Sequence, residues 1–74
     1  MMSRQEIKSE ITGTVWKILT QPGQDVAEGD TLMILESMKM EIPVIVEDGG
    51  KVAEITVAEG EAIQEGQVVA IIET

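Results

Sequence analysis

The chain repeats itself. From Gly13 it reads GTVWKILTQPGQDVAEGDTLMILES, and from Gly50, 37 positions on, GKVAEITVAEGEAIQEGQVVAIIET, aligned without a gap. The offset places Gly13 on Gly50, Val15 on Val52, Ile18 on Ile55, Gly23 on Gly60, Glu28-Gly29 on Glu65-Gly66, Ile34 on Ile71 and Glu36 on Glu73. Carried backwards, it sets Ile7 against Val44 and Ser9 against Val46. Two half-repeats, 6–37 and 43–74, are joined by Met38–Ile42 alone, with 1–5 left over as an expected frayed, disordered N-terminus. Repeats of this length often signal solenoids, but two copies are too few to stack, and neither half can bury its own apolar face. The halves must complete one another in a single domain, 6–74. Packed with approximate two-fold symmetry, they would put the joining segment at one end and both termini at the other.

Local patterns specify strands. Ile7–Ile11 and Thr14–Thr20 are rich in β-branched and aromatic residues, and the second run has no purely polar face, which predicts cover on both sides or a bulge. Thr31–Glu36 and Val68–Glu73 are apolar on successive residues, as strands buried on both faces are. Met40, Ile42, Val44 and Val46 alternate with Glu41, Pro43, Ile45 and Glu47, and Pro43 belongs at a sheet edge or a non-bonded position. Turns fall at Gln21-Pro22-Gly23-Gln24, at its counterpart Ala58-Glu59-Gly60-Glu61, and around Gly29, Gly49 and Gly66, with very short strands at 25–27 and 62–64. No helical period appears. The expected fold is all-β, about eight short strands in two small sheets forming a flattened barrel or sandwich.

Composition removes several function classes. With neither cysteine nor histidine, there is no disulfide framework, no thiolate metal site and no imidazole base, so no catalytic residue and no metal site is assigned. A formal charge of −9 repels phosphate backbones and anionic membranes, so neither nucleic acid nor a membrane is expected as a partner. No signal-peptide run or apolar span is present, and a cytoplasmic location is the default expectation. The acidic residues are expected to form a solvated surface, and Trp16, opposite Ala53 in the repeat, to fill the core.

At the junction of the halves stands Glu36-Ser37-Met38-Lys39-Met40-Glu41, whose lysine is the only cation between Lys17 and Lys51. Strand patterns on either side put Lys39 in a tight hairpin turn, exposed. An exposed amine with a reference pKa of about 10.4 is free in roughly one molecule in 10³ at neutral pH, and Schiff-base lysines are activated by desolvation or by cationic neighbours. Here the neighbours in sequence are the carboxylates Glu36 and Glu41. Lys39 therefore suits a substrate, acylated by an enzyme that brings the base and the activated acid. Taken alone, Met-Lys-Met could be a turn whose methionines cap the core; its place at the junction is what marks it out.

That motif, at the apex between two β half-repeats, resembles the biotin-attachment motif of the biotinyl/lipoyl domain family, and the resemblance covers 6–74. It is closest to small free-standing biotin/lipoyl attachment proteins and to thumb-less biotin carboxyl carrier domains. Val15–Val26 lacks the insertion that forms a thumb, position 37 is serine where alanine is common, and no tether rich in proline and alanine stands upstream. The resemblance implies a flattened barrel of two four-stranded antiparallel sheets with quasi-two-fold symmetry. It implies that Lys39 is biotinylated, with Met38 and Met40 as its flanking methionines; Glu36, Ser37 and Glu41 are read from their place beside the lysine as further recognition residues, with Glu36 and Glu41 expected to orient a ligase. A biotin ligase would supply biotinyl-adenylate, and biotin carboxylase and carboxyltransferase components would load and unload the tethered group. The carrier itself would be non-catalytic and, as an isolated domain, monomeric. The alternatives are a lipoyl carrier on the same Lys39, although lipoyl domains usually carry Asp-Lys-Ala there, or an unmodified interaction or assembly domain.

Overall fold

Four turns of one design set the path of the chain. In the computed structural model, which describes residues 3–74, Gln24, Asp30, Glu61 and Gln67 each donate a backbone N–H to the carbonyl three residues back, at 3.0–3.1 Å. Gly23, Gly29, Gly60 and Gly66 occupy the third position with φ between 87° and 90°, the value a type II turn requires there. The fourth side chain reaches back to the first N–H: Gln24 to Gln21, Asp30 to Ala27, Glu61 to Ala58 and Gln67 to Gln64, at 2.8–3.3 Å. Asp30 and Glu61 thus close turns instead of only solvating the surface, and Glu59 accepts the Ile18 N–H at 2.9 Å.

Between these turns run β1 (Arg4–Lys8), β2 (Gly13–Ile18), β3 (Asp25–Val26), β4 (Thr31–Ser37), β5 (Met40–Ile45), β6 (Gly50–Ile55), β7 (Ala62–Ile63) and β8 (Val68–Glu73), with no helix among the described residues. A first sheet has the order β1-β8-β6-β3 and a second β5-β4-β2-β7, all antiparallel. Shifting by four strands, one whole repeat, turns one order into the other. The sheets do not join by hydrogen bonds, so the expected two four-stranded sheets form an open sandwich, and Pro43 lies as expected on an edge strand, β5.

Irregularities obey the same symmetry. The β2–β4 register skips at Trp16 and the β6–β8 register at Ala53; β4–β5 skips at Leu32 and β1–β8 at Val69. A bulge is what denied β2 a polar face. Among the described residues the buried set is fourteen: Val15 with Val52, Val26 with Ile63, Leu32 with Val69, Met33 with Ala70, Leu35 with Ile72, Ser9 with Val46 and Thr20 with Val57. Every one has its repeat partner buried with it. The two polar members are satisfied locally, Ser9 Oγ donating to the Ile11 carbonyl at 2.6 Å and Thr20 Oγ1 to the Leu32 carbonyl at 3.2 Å.

Three expectations need correction. The frayed end does not extend to residue 5: Arg4 and Gln5 open β1, and Ser3 exchanges N–H···O bonds of 3.1 and 2.9 Å with Thr74. Met1 and Met2 lie outside the described residues. β1 ends at Lys8, short of Ile11, because Ser9 bonds the 64–67 turn through its own N–H and carbonyl. Trp16 is not core: as the extra residue of a bulge it stands 44% exposed on the outside. No helix of the described residues is long and apolar enough to cross a membrane.

Candidate functional site

The β4–β5 ladder runs through Glu36↔Glu41 to Ser37↔Met40, leaving a two-residue turn. Met38 (φ 50°) and Lys39 (φ 66°) fill it, the two positive-φ positions of a type I′ hairpin, where Asn-Gly is the usual choice. Neither residue has glycine's freedom, and left-handed backbone costs about 1–2 kcal/mol for each. Two side chains are thereby held out at the tip at the expense of backbone strain, as happens at functional positions.

Their surroundings settle the status of the methionines. Met38 is 93% exposed and Met40 63%, so they do not cap the core; they flank an exposed lysine with apolar, adaptable groups. Glu36 and Glu41 pair directly across the ladder and both are exposed, a like-charge juxtaposition that is unfavourable for folding alone. Ser37 has a bracing role, its Oγ donating to the Thr12 carbonyl at 3.1 Å, while Thr12 Oγ1 accepts the Glu65 N–H at 3.1 Å. Beneath them, a Cβ on Gly13 would collide with the Glu36 carbonyl, so only glycine lets β2 start this close to the hairpin. Sequence reasoning used Gly13 to align the repeat but did not assign it or Thr12 to the site; the match with Gly50, which would collide with the Glu73 carbonyl, was the available signal.

The hairpin lies at one end of a body with extents of 39 × 18 × 17 Å. β8 starts beside the turn that Thr12 ties to Ser37 and runs away from it to Glu73, so the Ser3–Thr74 pair is at the opposite end. The ion pair of the described residues, Arg4–Glu73 at 3.7 Å, is there too, and Lys39 has none among them. A groove of about 700 Å³ between β1 and β5 is lined by Ile7, Ile11, Ile42 and Val44, and Lys39 is not on its wall. Among the described residues, an amine so placed is exposed, lines no wall of that groove and has no ion-pair partner. Its exposure at the tip fits an acyl group attached by an amide and carried on an arm.

Comparison with known proteins agrees in extent. The family model described as "Biotin-requiring enzyme" matches residues 3–72. The biotinylated protein TB7.3 homolog of Mycobacterium leprae is 38% identical over 68 residues, covering 92% of this chain and 96% of that protein. The biotin/lipoyl attachment protein of Bacillus subtilis is 37% identical over 62 residues, covering 84% and 85%. Among solved structures, the urea carboxylase of Kluyveromyces lactis superposes with a TM-score of 0.89 at 36% identity, over 95% of this chain and 6% of that one. The chain belongs to the biotin/lipoyl attachment family of biotin-requiring enzymes.

Proposed function

We propose that this domain is a biotin carboxyl carrier whose attachment site is Lys39. The observation that carries the reading is the strained two-residue turn, which lifts one lysine between two exposed methionines at the end of a domain of this family. The residues divide the work. Met38 and Met40 offer apolar contact to a biotin ligase, Glu36 and Glu41 orient it by charge, and Ser37, Thr12 and Gly13 fix the hairpin. In attachment, the Lys39 Nζ lone pair forms a C–N bond to the acyl carbon of biotinyl-adenylate, the bond to AMP breaks, and the amine's proton passes to the ligase or solvent. Once bound, biotin supplies a ureido nitrogen that takes up and gives up a carboxyl group at the carboxylase and carboxyltransferase partners. The domain's share is to keep that group at high local concentration near both sites. Lipoate on the same lysine is a second reading, favoured by the name of the Bacillus subtilis relative.

Intact mass and peptide mapping after incubation with a biotin ligase, biotin and ATP test this, with lipoate ligase, lipoate and ATP in parallel. One biotinyl increment, absent in Lys39→Ala, is expected. A lipoyl increment alone would transfer the function to acyl carriage, and no increment on folded protein would leave an unmodified β-domain. Glu36→Gln and Glu41→Gln should each slow modification; unchanged rates would remove them from ligase orientation.

A further inference from the structure

Among the described residues, the exposed large apolar side chains are Trp16, Leu19, Met38, Met40 and Ile45, and all belong to β2, to β5 or to the segments that directly follow β2 and β4. None lies on the first sheet. Residues that pair across a ladder share a face, so the outer face of the second sheet can be read in rows: Glu41, Glu36, Thr14; then Pro43, Ile34, Lys17; then Ile45, Thr31. Trp16, extra at the bulge, joins this face, since the Lys17 Nζ lies 5.6 Å from its ring centroid. The equivalent rows of the first sheet are Arg4, Glu73, Lys51; Glu6, Ile71, Glu54; and Lys8, Val68. Where the first sheet has Glu6, Lys8 and Ala53, the second has Pro43, Ile45 and Trp16. The fold imposes no such difference, because it treats the two faces alike.

We propose that this outer face, Trp16, Ile34, Pro43 and Ile45 with Glu36 and Glu41 at its Lys39 end, is the docking surface for the biotin ligase, a partner with a flat apolar centre and a basic rim. The proposal rests on the carrier reading of Lys39. Three features select the occupant. The face is continuous with the hairpin, being built from the same β4 and β5. An unmodified lysine reaches only about 6 Å from its Cα, given C–C bonds near 1.5 Å, so an enzyme that acylates it must lie against the sheet, whereas enzymes acting later meet a longer arm. Charge excludes a second copy: face-to-face pairing would bring together acids on chains of formal charge −9, with Lys17 the single cation in the rows of that face. Area agrees, since strand spacing gives a patch on the order of 250 Å², far below the roughly 800 Å² per partner of a stable complex. Such a contact releases its product.

The test is steady-state biotinylation by a purified biotin ligase with this protein as the varied substrate, each variant checked for an unchanged melting transition. Trp16→Ala and Ile45→Lys, which install what the first sheet carries, should each raise the KM for the carrier about fivefold to tenfold with kcat unchanged. Ala53→Trp and Lys8→Ile on the first sheet should leave both constants as they are. For the wild type, KM should rise with salt. Variant KM values within twofold of wild type, equal effects on the two sheets, a salt-independent KM, or a wild-type dimer in sedimentation at micromolar concentration would each overturn the docking surface while leaving the carrier reading intact. Wild-type protein that takes up no biotin at all would overturn the carrier reading itself, and the docking surface with it.

Discussion

The two sheets of this domain are copies inside and strangers outside. Inward, all fourteen buried residues among those described fall into partners related by the repeat, down to the bulges that seat Leu32 and Val69. Outward, equivalent rows differ in kind: the first sheet interleaves Arg4, Lys8 and Lys51 with Glu6, Glu54 and Glu73, while the second offers Trp16, Pro43 and Ile45 with Glu36 and Glu41. The interior is constrained by packing, which the symmetry makes the same problem twice. The exterior answers to whatever approaches it, and only one end carries Lys39.

The largest expected effect tests the interior half of that contrast. Val15 and Val52 are the same residue, fully buried, at equivalent places beside equivalent bulges. Val15→Ala and Val52→Ala should each cost about 2–3 kcal/mol from lost burial and a residual cavity. Denaturant unfolding should show the two variants alike within about 0.5 kcal/mol, and a gap of 1.5 kcal/mol or more would mean the halves do not share the core equally. Gly13→Ala and Gly50→Ala come next, at about 1–3 kcal/mol each, because either Cβ meets a backbone carbonyl that cannot yield without shifting a strand. Here the comparison divides: with similar losses of stability, only Gly13→Ala, which presses on Glu36, should also slow modification of Lys39. Equal slowing in both would show that the hairpin feels global stability and not its local support.

How much of this was legible in sequence depends on which side of a sheet a residue faces. The gapless offset of 37 made the two like halves and their matching turns legible in advance, and Val15/Val52 report the same burial twice, whereas the strand order and the half-buried, outward place of Ile34 and Ile71 come only with the structure. Lys39 was legible because the junction between repeats has to be a tip. Trp16 was misread: the sequence signal for a bulge was present in β2, but an aromatic among apolar neighbours reads as core unless the bulge is placed at that very residue. The bracing through Thr12 and the side-chain closures by Asp30 and Glu61 were not visible, because an acid that accepts an N–H within its own turn is written with the same letter as one that faces water. The edge at residues 3–5 was missed because its repeat partners, Met40, Glu41 and Ile42, fall in the segment that joins the halves: Ser3 and Thr74 stand where Met40 and Ser37 do in the other sheet.

Strain at the tip gives the next effect. Replacing Met38-Lys39 by Asn-Gly should relieve left-handed backbone and stabilise the domain by about 1–2 kcal/mol while removing the proposed acceptor amine. Asn at position 38 alone, with Lys39 kept, should recover part of that gain and separate the strain from the chemistry. If neither change raises the unfolding midpoint, the turn is held by its neighbours without cost and no strain is stored there.

The smallest effect is the sharpest for the outer faces, because it predicts opposite signs at equivalent positions. Glu36 and Glu73 are related by the repeat. Glu36 pairs across the sheet with Glu41 on one side and Thr14 on the other, and Glu73 pairs with Arg4 and Lys51. Glu36→Gln should therefore stabilise the domain by about 0.2–1 kcal/mol through loss of a like-charge pair. Glu73→Gln should destabilise it by less than about 0.5 kcal/mol, since the Arg4 contact is long at 3.7 Å, its arginine side chain is 64% exposed, and solvent screens such pairs. Raising ionic strength should shrink both differences toward zero, because both are exposed Coulomb terms. Two changes of the same sign would mean that the neighbours across the ladder do not set the electrostatics of either face, and that the acids beside Lys39 impose no folding penalty for a partner to relieve.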